Sequence, residues 1–291
     1  MRRVDLKYIL TNGCSWVEGT GLEHELAIQK GCKSFEEVSD WKVKYPKSLQ
    51  IKYAHKNRMP TMIANKLGLK EYNIGQAGKS NDCIVRTTVE WILNNKEKAN
   101  ETLFYIQWSN PHRTEFLEAF ENQYFVNNWF SPTTSGRYHV HILDRYEKYF
   151  VQPISLELNT LNSVINLQNF LKVNNFKYAF VDALGKIWDI PSVDDISEPL
   201  KNTRVQRSYG KFENSVKLYK DLLDLIDVDK FYAKKDLTNC IADKVYKGKV
   251  PTPSNMIGRD TEWIKWDGHP SSITNNIFSD LIVDFIKEKI L

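Results

Sequence analysis

The sequence predicts an α/β protein, a three-layer α/β/α sandwich around a central parallel sheet. Three observations carry that prediction. Short apolar runs of strand length recur along the chain, each ends in small or polar residues, and helical apolar spacing follows each of them. Strand followed by helix, repeated, needs crossover connections, and crossovers place helices on both faces of a parallel sheet. The 291 residues, 42% hydrophobic and 12% aromatic, are enough to build one large core. We read residues 1–291 as a single α/β domain with insertions at about 18–58 and 116–150.

The first strand is KYIL (Lys7 to Leu10), which runs into TNGCSW. The second, EYNI (Glu71 to Ile74), runs into NIGQAGKSND. The third, TLFYIQW (Thr102 to Trp108), runs into SNPHRTE. KYAFVDA (Lys177 to Ala183) is the fourth, and KFYA (Lys230 to Ala233) a short fifth. Helices are expected at Pro60 to Leu67, Ser80 to Leu93, Leu161 to Val173, Lys211 to Ile226 and Ser272 to Ile290. Ser80 is placed to cap the second of these, whose apolar face is Ile84, Val85, Val89, Ile92 and Leu93. Glu18 to Arg58 reads as polar and irregular, and Phe116 to Tyr149 as crowded with aromatics. Both are expected to lie over the sheet edge, and the loop Asp189 to Tyr209 is expected to be solvated.

Forty basic and 36 acidic residues leave a formal charge of +4, too small on this length to indicate nucleic acid. The four cysteines, Cys14, Cys32, Cys83 and Cys240, form no C-x-x-C pair, so neither a zinc knuckle nor a disulfide framework is expected. His139 and His141 share one face if YHVH is a strand, but no carboxylate and histidine set accompanies them, and no metal is expected. The apolar run Tyr8 to Leu10 is too short for a signal core and no run reaches membrane-spanning length, so no membrane partner is expected and the cytoplasm is the expected location.

NIGQAGKSND invites a phosphate-loop reading that counting removes. A G-x-x-x-x-G-K loop ending at Gly78 and Lys79 needs its first glycine where Asn73 stands, and Gly75 comes two positions too late. G-x-G-x-x-G fails as well, because Gly75 and Gly78 supply only its last two glycines. Parallel sheets form their sites at the carboxyl ends of strands, and other chemistry gathers there. Ser15 follows the first strand in a turn with Gly13, where a hydroxyl can be presented as a nucleophile. Of the six histidines, His269 has the most telling setting, WDGHPSS, with Asp267 two residues before it and a terminal helix after it.

Taken in order, these segments resemble the SGNH (GDSL-like) hydrolase family, and more particularly its phage-type members. GCSWVEG (Gly13 to Gly19) resembles the first family block, with Cys14 where the family has an acid. NIGQAGKSND resembles the glycine block, QWSNPHRTE (Gln107 to Glu115) the asparagine block and DGHPS (Asp267 to Ser271) the terminal block. The blocks stand in family order and cover the chain nearly end to end. The resemblance implies a flavodoxin-like sheet of the SGNH type and a serine esterase that needs no cofactor. It further implies Ser15 as nucleophile, His269 as base and Asp267 as the acid orienting it. The oxyanion would be held by the amides of Ser15 and Gly78 and by a third-block donor, for which Ser109, Asn110 and, from the second block, Asn81 are candidates. The acid and histidine stand one residue apart instead of two, so Asp260 or a carbonyl are alternatives to Asp267.

Trp16 and Trp108 are candidates to wall a substrate pocket, with core packing as the alternative. Arg113 either binds a substrate anion or bridges to Glu115. Lys79 and Arg86 are expected on solvated surface, and Asn73 and Asn81 are expected to tie loops together through their amides. The implied substrate is a small-molecule or carbohydrate ester, with O-acetyl as the first choice of acyl group. The alternative reading is an inactive SGNH-fold binding or accessory protein of a phage; on either reading a phage-encoded chain would be located in the host cytoplasm.

Overall fold

A computed structural model describes residues 5–111, 113–118, 123–128, 153–182, 187, 212–232 and 269–291. Asp260, Asp267, His112, His139, His141, the aromatic cluster beyond Asn128 and the loop 189–209 lie outside the described residues.

Five strands form one parallel sheet: β1 (Tyr8–Asn12), β2 (Lys70–Asn73), β3 (Thr102–Trp108), β6 (Lys177–Asp182) and β7 (Phe231–Tyr232), in the order β2-β1-β3-β6-β7. All five strands expected from the sequence are present. Every pairing is parallel, with Tyr8 opposite both Lys70 and Thr102, and Leu103 opposite Lys177. Counting only this sheet's strands, the order is 2-1-3-4-5, whose direction of winding reverses between β1 and β3. Such a reversal opens a crevice at the carboxyl ends of the two strands.

Alternation along each strand divides the interior into two cores. Ile9, Leu103, Tyr105, Ala179 and Val181 point to one face, where they meet Met59 and Ile63 of α5 (Met59–Leu67) and Phe278, Ile282 and Ile286 of α10 (Ser272–Lys289). Leu10, Phe104, Ile106, Trp108, Tyr178 and Phe180 point to the other. There they meet Ile84 and Ile92 of α6 (Asn81–Asn94), Leu161, Val164 and Leu167 of α8 (Pro153–Val173), and Tyr219 and Leu223 of α9 (Phe212–Leu223). These side chains are buried, and each Val, Leu, Ile, Phe or Met among them contributes about 1.5–3 kcal/mol by leaving water. The sandwich is therefore helix, sheet, helix, with one core on each side of the sheet.

Local chemistry sets the helix ends. Ser80 caps α6, its Oγ accepting from the Cys83 N–H at 3.3 Å, and Ser271 caps α10 by accepting from the Thr274 N–H at 3.3 Å. Pro60 lies in the first turn of α5, and Gly68 at φ 69° ends that helix. A short helix, α7 (Lys96–Ala99), leads into β3.

The segment from Glu18 to Arg58 corrects the sequence reading. Instead of irregular chain it holds α2 (Leu22–Gln29), α3 (Phe35–Lys44) and α4 (Lys47–Asn57). Ser34 caps α3 by accepting from the Glu37 N–H at 3.2 Å, and the Glu37 carboxylate accepts in turn from the Lys33 N–H at 2.6 Å. These helices escape periodicity because much of their surface stays in water, with Val43, Leu49 and Ile51 all exposed. Beyond β3, an antiparallel hairpin of β4 (Arg113–Glu118) and β5 (Gln123–Asn128) forms a second sheet, with Arg113 opposite Asn128.

Candidate active site

The carboxyl end of β1 turns sharply at Gly13 into α1 (Ser15–Glu18), a single helical turn that starts with the candidate nucleophile. A methyl group at Gly13 would lie 2.6 Å from Val17 Cγ2 and 2.8 Å from the Gln107 carbonyl oxygen, so only glycine lets β1 and β3 release the chain this closely. Cys14 is buried, whereas Ser15 is half-buried. Its N–H, at the first position of the helix, has no preceding-turn carbonyl to bond.

The loop after β2 lies against this turn. The Ile74 N–H donates to the Thr11 carbonyl at 2.9 Å, Gly75 to Asn73 Oδ1 at 2.8 Å, Gln76 to the Gly13 carbonyl at 3.1 Å and Ala77 to Glu18 Oε2 at 2.8 Å. Lys79 donates to the Gln76 carbonyl at 3.3 Å. Within residues 74–79, the Gly78 N–H alone has no acceptor among the described residues. Gly78 adopts φ 82°, and a Cβ built there would meet nothing within 4 Å, so the space beside its Cα is open. Asn73 ties the assembly as expected, its Nδ2 donating to the Val17 carbonyl at 2.7 Å.

Behind both loops lies a buried polar network that sequence reasoning missed. Asn12 is fully buried, and its Nδ2 lies 2.9 Å from the Ile84 carbonyl, Thr87 Oγ1 and Thr88 Oγ1. Its Oδ1 accepts from the Gly13 N–H at 2.9 Å and from Lys79 Nζ at 3.1 Å. Lys79 corrects the expectation of a solvated side chain. It is 4% exposed, and its ammonium also donates to the Ile74 carbonyl at 2.6 Å and Thr87 Oγ1 at 3.1 Å. Burial holds its pKa below the ordinary value of 10.5. Arg86 is corrected too: its guanidinium grips Glu115 at 2.6 and 3.0 Å and also reaches Glu90. Burial, reinforced by the neighbouring Glu115, pushes the Cys83 thiol up to about 12, which leaves that cysteine unreactive.

At the end of β3, Asn81 and Ser109 clamp each other. Ser109 N–H donates to Asn81 Oδ1 at 2.7 Å, and Asn81 Nδ2 donates to the Ser109 carbonyl and Thr160 Oγ1, both at 3.1 Å. The loop-tying expectation for Asn81 is met. Arg113 Nη1 donates to Ser109 Oγ at 2.9 Å, so the expected bridge to Glu115 is replaced by this contact, Arg86 having taken the carboxylate. Asn110 stands next in the chain, half-buried. Trp108 is wholly buried and packs edge-to-face on Phe180 at 5.2 Å; Trp16 is 8% exposed within the α5 and α10 core. For both tryptophans the packing alternative describes what is seen.

The position of His269 follows from α10. Lys177 Nζ, at the start of β6, donates to the Ile290 carbonyl at 3.2 Å, and Lys230 Nζ, just before β7, donates to the Lys289 carbonyl at 2.8 Å. The helix therefore ends at the amino edge of the sheet. Eighteen residues rise about 27 Å, so its start returns to the carboxyl edge, where β1 delivers Ser15. His269 is half-buried, three residues before that start. Glu25 of α2 receives the Ser272 N–H at 3.0 Å and the Ser272 hydroxyl at 2.7 Å, which fixes this helix end against the inserted helices. Among the described residues no helix is long and apolar enough to cross a membrane, and no cluster of His, Cys, Asp and Glu could hold a metal.

Several solved structures are similar to this chain. One, described as a lipolytic protein of the G-D-S-L family from Desulfitobacterium hafniense DCB-2, is 8% identical with a TM-score of 0.41, covering 96% of this chain and 99% of that one. A carbohydrate esterase family 2 enzyme with a carbohydrate-binding domain from Corynascus thermopiles is 10% identical, TM-score 0.42, with coverage of 99% and 68%. The acetyl xylan esterase Est2A from Butyrivibrio proteoclasticus is 10% identical, TM-score 0.40, with coverage of 99% and 65%. Likenesses of this size assign no activity. No curated protein matches the sequence. The model of a family of unknown function, DUF6071, matches residues 36–194, more than half of the 291, and the chain belongs to that family.

Proposed function

We propose that this protein is a serine esterase of the SGNH type that cleaves an acyl ester through an acyl-enzyme. One observation carries the reading: within the loop of residues 74–79 the Gly78 N–H alone lacks an acceptor, and this loop is bonded directly to the turn that presents Ser15. A loop that satisfies its other amides and leaves one without an acceptor is suited to hold charge that appears only during reaction.

His269 would take the Ser15 hydroxyl proton as Oγ attacks the acyl carbonyl, and the resulting oxyanion would be held by the N–H groups of Ser15 and Gly78. Collapse of the tetrahedral species expels the alcohol, which receives the proton from His269; water then repeats the sequence and releases the acid. Asp267 is assigned to orient His269. For the third oxyanion donor we assign Asn110, the asparagine just past β3 in the segment that resembles the family's asparagine block. The substrate we favour is a small acyl group, acetyl first, on a carbohydrate, and the phage-type placement rests on the shortened terminal block.

Steady-state hydrolysis of 4-nitrophenyl acetate tests the oxyanion assignment. Asn110→Ala should lower kcat by about 100- to 1000-fold with little change in KM, the usual cost of one lost oxyanion donor. An unchanged kcat would remove Asn110 from the mechanism.

A further inference from the structure

A second polar concavity lies next to the third block, between the start of α6, the 109–113 turn and α8. Its volume is about 290 Å³, and its walls include Asn81, Asp82, Arg113, Asn159, Asn162 and Asn166. That volume is close to the lower end of small-molecule sites, roughly 300 Å³, and suits one ring-sized unit.

Three observations give this cavity a chemistry. First, α8 carries no charged residue from Leu158 to Leu171, yet Asn159, Asn162 and Asn166 stand exposed at a spacing of three and four residues, on one face. Asparagine is a poor helix former, so helix stability does not account for three of them on a face where Lys and Glu would serve better. Second, Arg113 lines the cavity half-buried, and its guanidinium forms no ion pair among the described residues. Third, Asp82 shares the cavity wall, with Oδ2 accepting from the Glu115 N–H at 3.1 Å.

Arg113 and Asp82 together decide the ligand class. An anion would gain from Arg113 and be repelled by Asp82, and a cation the reverse. A neutral polyhydroxylated unit suits both, because each hydroxyl can accept from the Arg113 guanidinium or an asparagine N–H and donate to Asp82 or an asparagine carbonyl. We propose that this cavity is a subsite for a neutral sugar unit. Arg113 is held by Ser109 Oγ, one residue from Asn110, so a sugar seated here would adjoin the acyl centre. That the sugar belongs to the ester substrate rests on the esterase reading; that it binds does not.

The test uses the full-length Ser15→Ala protein, titrated by calorimetry and saturation-transfer NMR with xylotetraose, cellotetraose and chitotetraose, and with trigalacturonate as the acidic control. At least one neutral oligosaccharide should bind, and Asn162→Leu with Asn166→Leu, at exposed positions, should weaken it tenfold or more without changing the melting temperature. Absence of binding by all three neutral probes, preference for trigalacturonate, or indifference to the paired substitutions would overturn the subsite. Fluorophosphonate labelling of the wild type reports separately on the esterase reading. Labelling without sugar binding removes only the subsite, and sugar binding without labelling removes only the esterase.

Discussion

Lys79 Nζ lies 3.1 Å from Asn12 Oδ1, in an interior where both side chains are almost wholly shielded from water. Asn12 ends the strand that delivers Ser15, and Lys79 follows Gly78, so this one bond joins the loops that carry the proposed nucleophile and the proposed oxyanion donor.

Replacing Lys79 by Met should cost about 1–3 kcal/mol, because the Ile74 carbonyl and Asn12 Oδ1 lose a donor where water does not reach. The pH dependence has a definite sign. Burial lowers the folded-state pKa, so between that value and 10.5 the unfolded chain binds more protons than the folded one, and folding grows more favourable as pH rises. Urea unfolding of the wild type and Lys79→Met at pH 8, 9 and 10 should therefore show a difference that widens with pH. A difference that narrows would contradict the buried-ammonium account.

Val17 fills the space left by two absent side chains. A Cβ at Gly75 would lie 2.5 Å from Val17 Cγ1, and one at Gly13 would lie 2.6 Å from Val17 Cγ2 and 2.8 Å from the Gln107 backbone oxygen. Each Gly→Ala change should destabilise by about 1–3 kcal/mol through overpacking. Val17 Cβ itself would lie 2.8 Å from a Cβ at Gly75, so Val17→Gly, which removes it, should recover much of the loss for Gly75→Ala and little for Gly13→Ala, whose second obstacle is the Gln107 backbone. Equal rescue in thermal-unfolding cycles would contradict this geometry.

Glu115 anchors the β4–β5 hairpin to α6 through Arg86, at 2.6 Å, with the carboxylate 7% exposed and the guanidinium 27% exposed. Glu115→Gln should cost about 1–3 kcal/mol, less than a fully buried pair because Arg86 reaches water and keeps Glu90. Hydrogen exchange should speed up in residues 113–118 and leave β1 and β3 unchanged; uniform acceleration would show that the pair stabilises the whole fold instead.

How far the fold was legible depends on where each element finds its partners. β1, β3 and β6 are buried along almost their whole length, so they read directly as apolar runs, and Thr102 to Trp108 matches to the residue. Ser80 was legible as a cap because its partner, Cys83, is three residues away. Lys79 was misread because its acceptors come from Asn12 and Thr87, which only the folded chain brings beside it. The helices between Leu22 and Asn57 were missed because they pack on one another and on α10 through few apolar residues. In the candidate site, motif order singles out Ser15 and Gly78 and leaves Ser109, Asn110 and Asn81 as the candidate donors. Glu18, which accepts from the Ala77 N–H, and Glu25, which caps α10, carried no local signal.

The central claim is that the Ser15 hydroxyl is a nucleophile, and active-site labelling tests it most directly. Wild-type protein incubated with a fluorophosphonate probe should gain one adduct by intact-mass spectrometry, mapped to the peptide carrying Ser15, and Ser15→Ala should gain none. Absence of an adduct on folded wild-type protein, or an adduct that persists in Ser15→Ala, would contradict the account.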